Sequence, residues 1–117
     1  MSYVDGFVAA VPNENKEKFI AHAAMMAAVL KQHGALQVVD TWADDVPDGK
    51  VTSFPMAVQK QPHESVAFSW IVWPSKQVRD AAWAAIMQDP NMDNEANPMP
   101  FDGQRMIYGG FAVVSDL

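Results

Sequence analysis

The chain has 117 residues, half of them hydrophobic, with eight Lys and Arg against fourteen Asp and Glu for a net charge of −6, and no cysteine. That length fits one domain with a core of its own, and the lack of cysteine excludes disulfides, Cys-ligated zinc and thiol catalysis. The acidic balance argues against nucleic-acid partners, which call for a basic face.

In chain order, residues 3–11 (YVDGFVAAV) form an apolar run closed by Pro12, which reads as a first strand. Asn13 is placed to cap a helix with Glu14 in its first turn. Phe19, Ile20, Ala23, Ala27 and Leu30 then recur at three- and four-residue steps, and His33 and Gly34 mark the end. Residues 36–42 (LQVVDTW) read as a second strand, followed by a turn through Pro47, Asp48 and Gly49. Residues 51–60 are ambiguous: Pro55 opposes a central strand, and Ser53 as a cap before Phe54, Ala57 and Val58 points to a short turn of helix. Residues 65–73 (SVAFSWIVW) give the clearest strand, ended by Pro74. Ser75 caps a second long helix with an inner stripe of Val78, Ala82, Ala85 and Ile86, ending at Asp89 and Pro90. Residues 91–105 read as irregular, and residues 106–114 (MIYGGFAVV) as the last strand.

The order β-α-β, short insertion, β-α-β is the split βαβ, or ferredoxin-like, arrangement: an α+β fold with a mainly antiparallel four-stranded sheet. Its first and third strands lie centrally, and here those are the most continuously apolar. The edge strands, 36–42 and 106–114, carry neither Lys nor Pro to protect them, so a second copy of the chain is expected to cover them. The start of the chain does not read as a secretory signal, and the longest apolar run, 23–30, is far below the ~20 residues needed to cross a bilayer. A soluble, cytoplasmic homodimer is therefore expected.

Several strings resemble the YbaA-like family of uncharacterised small bacterial proteins: YVDGF at 3–7, GAL at 34–36, DVPDGK at 45–50, FSWI at 68–71, PSKQVRDAA at 74–82 and MPFDGQRMIYGGF at 99–111. The resemblance runs end to end. It implies a dimeric α/β barrel in which two ferredoxin-like sheets pack face to face. It implies no activity, although the wider superfamily includes cofactor-free monooxygenases, haem-degrading enzymes and small-lactone isomerases.

Asp5 and Asp40 each interrupt an apolar strand, where an unpaired buried carboxylate has a raised pKa and can act as a general base. The structural alternative is that each accepts hydrogen bonds from a neighbour or faces solvent at a strand end. His22 and His33 lie eleven residues apart, ~16 Å along a helix, too far to share a metal, and His22 reads as a surface residue. Asp44, Asp45 and Asp48 lack the spacing and the closing Glu of a calcium loop and are explained by turn chemistry; no metal is expected. Trp and Met residues either fill the core or line a pocket for a flat apolar ligand. Gly109 and Gly110 mark a bulge or a close approach, and Arg105 comes after a tight turn where it either salt-bridges locally or holds an anionic group. No phosphate loop, nucleophile elbow or HExxH motif occurs, so no cofactor is expected.

These residues point to a homodimeric small-molecule-binding protein, extending to a cofactor-free enzyme on a small apolar or aromatic compound, with no nucleic-acid or membrane partner. Asp40 is the expected base and Tyr108 the donor, with Asp5, Trp42 and Arg105 in binding roles. Asp40 and Trp42 should share a face, being two apart, whereas Tyr108, on the opposite edge, is expected to reach the site only across a dimer. The alternative is a non-enzymatic structural or interaction dimer.

Overall fold

The computed structural model describes residues 2–93 and 95–117. Four strands, β1 (Tyr3–Pro12), β2 (Gln37–Asp40), β3 (Glu64–Trp73) and β4 (Ile107–Ala112), form one antiparallel sheet in the order β2-β3-β1-β4. Helices α1 (Lys16–Gln32) and α3 (Lys76–Gln88) cover one face, and α2 (Phe54–Ala57) is a single turn in the β2–β3 connection. This is the ferredoxin-like α+β arrangement, with the two longest apolar strands at its centre.

Local chemistry explains most boundaries. Ser75 Oγ accepts from Val78 N at 3.2 Å and starts α3, and Ser53 Oγ accepts from Met56 N at 3.1 Å and starts α2. Gly34, at φ +106°, ends α1 in a backbone conformation that L side chains rarely adopt. Asn13 does not cap α1. A 3₁₀ turn over Asn13–Asn15 intervenes, and the Asn13 side chain instead accepts a hydrogen bond from Ser65 Oγ on β3. The ladder of β2 closes at Asp40, shorter than expected, although Thr41 N and Ala43 N still donate to Phe68 O and Val66 O. β1 and β4 pair without a bulge at Gly109 and Gly110. The second glycine is required because a Cβ there would lie 2.5 Å from the Tyr3 hydroxyl and 2.9 Å from an Arg79 nitrogen.

Strand alternation sorts the apolar residues onto two faces. Toward the helices lie two separate buried clusters, one of Leu30, Ala35, Ile71, Trp73, Ala82 and Ile86, the other of Ala9, Val11, Phe19 and Ala67. On the other face Val8, Ala10 and Val66 are covered by Val58 and Ala43 of the β2–β3 connection. The rest of that face is open: Phe68, Ile107 and Phe111 are 41%, 45% and 61% exposed.

Candidate functional site

Between the two clusters on the helical side, the sheet and helices do not close. The gap is a cavity of about 610 Å³, bounded by Leu30, Ile71 and Ile86 from one cluster and by Ala9, Phe19 and Ala67 from the other. Its floor is set by strand register. Asp40 pairs with Ser69, Ser69 with Phe7, and Phe7 with Tyr108, so one residue from each of the four strands stands in a single row, and all four line the cavity.

That row places Asp40 and Tyr108 in one cavity of one chain, correcting the expectation that Tyr108 needs a partner copy to reach it. They stand at opposite ends. Three strand spacings separate them, about 14 Å at the usual spacing, so they flank a bound molecule and do not meet at one atom of it. Asp40 closes β2 and is exposed at the rim, the alternative in which the carboxylate faces solvent at a strand end rather than the buried one. Tyr108 is 72% exposed and stacks on Phe7 at 6.4 Å, and Phe7 meets Trp83 edge-on at 6.3 Å, making this the aromatic end.

Asp5 also borders the cavity, but its carboxylate is fully engaged and only 2% exposed. It accepts from Trp73 Nε1 and Trp83 Nε1, both at 2.9 Å, and from Arg79 Nε and Nη2 at 3.0 and 2.8 Å. Arg79 also donates from Nη1 to Asp80 at 2.9 Å and lies over the Tyr3 ring. These are structural roles, and they leave Asp5 nothing with which to bind a ligand.

Trp42 stands on the same side of the sheet as Asp40 but does not line the cavity. Its ring packs on Phe19 at 5.7 Å and carries Lys16 Nζ 5.5 Å from its centroid, so it backs the wall without forming it. Arg105 does not line the cavity, although Gly103 and Met106 on either side of it do. It forms a fork with Glu64 (2.7 and 2.6 Å) and further donates to Asp102 Oδ2 and the Gln59 carbonyl. Arg105 is therefore the clasp that ties the segment before β4 to the start of β3. It holds the Glu64 carboxyl down from 4.5 to about 2.

One residue here reads from sequence only as a surface histidine. His22 lies on the α1 stripe that runs Phe19, His22, Ala23, Met26, Leu30, all of which face the cavity. Its Nδ1 is buried and has no hydrogen-bond partner among the described residues. Burial pushes its pKa below the ordinary histidine value, opposed by the Asn97 side chain and by the negative charge of Asp40. The helical spacing is visible in the sequence, but a polar residue on an apolar stripe is legible as a site only once the space in front of it is known. Among the described residues no group of three His, Asp or Glu converges as metal ligands.

Residues 2–103 match the family described as "Protein of unknown function (DUF1428)". The chain is 55% identical over 116 residues to "Uncharacterized protein YbaA" of Escherichia coli (strain K12), covering 99% of each, and the same figures hold for its namesake in Shigella flexneri. Among solved structures it is similar to SnoaB, a cofactor-independent oxygenase from Streptomyces nogalater (TM-score 0.64, 14% identity, 99% of this chain and 96% of that one). It is also similar to a dimeric ferredoxin-like protein from an uncultured marine organism (TM-score 0.66, 13% identity, 99% and 98%). At such identities these structures establish the shared fold alone.

Proposed function

We propose that this chain, which belongs to the DUF1428 family, is a homodimeric protein that binds a small apolar or aromatic molecule in the cavity between its sheet and helices. The observation that carries this reading is the cavity itself. It lies between two clusters that could have merged into one core, its walls are mostly apolar, and its volume falls in the range of ligand pockets. Polar groups on its walls are few, so a bound apolar molecule costs little desolvation. Should the bound compound be turned over, Asp40 is the group placed to take up a proton at one end, and Tyr108 offers a hydroxyl at the other. The oligomeric part rests on the open apolar sheet face, on the side away from the cavity, where a second copy would cover Phe68, Ile107 and Phe111. The cofactor-independent oxygenase and the dimeric neighbour are both consistent with this reading.

The test is titration of the purified protein with N-phenyl-1-naphthylamine, an uncharged fluorescent probe. Saturable binding is expected, weakened about tenfold or more in Ala23→Trp, whose indole would fill the cavity from α1. Asp40→Asn is expected to leave melting unchanged, since the carboxylate is exposed. No saturable binding, or binding untouched by Ala23→Trp, would overturn the cavity reading.

A further inference from the structure

The charges around the cavity do not balance. Arg79 is the one Lys or Arg on its walls among the described residues, and it pairs with Asp5 at 2.8 Å and with Asp80 at 2.9 Å, while Lys76 meets Asp80 at 2.7 Å. Two cations and two carboxylates thus cancel beside α3. Asp40, exposed at the β2 rim, has no ion pair or side-chain hydrogen bond among the described residues, so nothing in the chain offsets its charge. The His22 imidazole lines the same space but does not supply the missing cation, because burial pushes its pKa below the ordinary histidine value and leaves it uncharged at neutral pH.

Strand register sets a second group beside that charge. Ser69 is the cross-strand partner of Asp40 and lines the cavity next to it, and its hydroxyl is accessible and without a partner among the described residues. An ionised carboxylate only accepts hydrogen bonds and a hydroxyl accepts as well, so the two together suit a group rich in donors; an ammonium has three. Phe7, next in the row, lies two strand spacings from Asp40, about 10 Å at the usual spacing, and opens the aromatic end with Tyr108 and Trp83. The row therefore fixes a distance between an unpaired negative charge and an apolar ring surface. An anionic head would meet Asp40 with no cation to offset it, in a chain of net charge −6.

Resting on the cavity reading above, we infer that the ligand is an aliphatic amine joined to an apolar or aromatic body, with its ammonium held at Asp40 and Ser69 and its body directed toward Phe7. At the open rim the ammonium keeps part of its hydration. The gain is that of an exposed ion pair, which selects between ligands more than it adds affinity.

Displacement of N-phenyl-1-naphthylamine from the full chain by 4-phenylbutylamine, 4-phenylbutan-1-ol and 4-phenylbutanoate tests this at neutral pH, in about 0.15 M salt to screen charges farther than ~8 Å away. Wild type is expected to take the amine about threefold to fivefold more tightly than the alcohol, and the carboxylate least. In Asp40→Asn the ratio of amine to alcohol affinity should fall to about one, and Asp40→Lys should invert the order of amine and carboxylate. Equal affinity of wild type for amine and alcohol overturns the inference and leaves the cavity reading standing. So does a preference for the amine that survives in Asp40→Asn, since the chain's overall charge would then be its source, and so does tightest binding by the carboxylate. Failure of all three to displace a bound probe has the same meaning. If the probe itself does not bind saturably, the cavity reading falls. The wild-type order decides the ligand class even if a variant does not fold.

Discussion

Among the described residues Asp5 and Glu64 are the two buried carboxylates, and each is held by one arginine. Asp5 accepts from two indoles and Arg79, and Glu64 accepts from Arg105 on both oxygens and from Gln61 N on one. For Glu64 the consequence is measurable. Its carboxyl, lowered from 4.5 to about 2 by Arg105, stays ionised in the folded chain at pH values where the unfolded chain takes up a proton. The stabilisation is therefore present above pH ~4.5 and is lost as pH falls toward 2, with a full value of roughly 3 kcal/mol. Glu64→Gln is expected to lower the urea midpoint at pH 7, and the gap between wild type and variant should narrow at pH 3. An equal gap at both values would show that the pair contributes little. The sequence marks Asp5 and Arg105 as candidate site residues but does not reveal their partners, Arg79 and Glu64, which lie 74 and 41 positions away.

At the scale of elements, side-chain caps are legible because they are local. Ser53 and Ser75 announce α2 and α3 by residue type and by the helix-forming residues directly after them. Asn13 misleads because a long-range partner, Ser65 on β3, claims its side chain, and no local pattern records that. The pair Gly109 and Gly110 is recognisable as a place of close approach, but the group that approaches is Tyr3 from the neighbouring strand together with Arg79, inside one chain. Gly110→Ala should therefore displace the Tyr3 ring and the guanidinium that holds Asp5, lowering stability by about 1–3 kcal/mol in chemical denaturation. Gly109→Ala, whose Cβ would meet only the Phe111 ring at 3.5 Å, should cost much less. Equal effects at the two positions would contradict this packing.

For the whole molecule, the two faces of the sheet divide the proposed function. The helical face holds the cavity, and the opposite face is apolar, aromatic and partly open, with Phe68 touching both Phe54 and Trp70 at 5.8 and 5.6 Å. A second copy packed there would bury these rings without obstructing the cavity. Light scattering at micromolar concentration is expected to give twice the 12.9 kDa chain mass. The double substitution Phe68→Lys and Phe111→Lys should return it to one chain, because paired charges on that face cannot be desolvated cheaply. A monomeric wild type would remove the dimer from the proposal. No helix among the described residues is long and apolar enough to cross a membrane.

The sequence by itself determined the order of elements and the central position of the first and third strands, because both follow from periodicity and turn chemistry within short windows. Strand-to-strand register did not. It depends on pairing between residues far apart in the chain, and it is register that sets Asp40, Ser69, Phe7 and Tyr108 in one row. Only the tertiary structure could show that two core clusters stop short of each other, leaving space in front of His22, since a void is a property of packing and no residue encodes it alone.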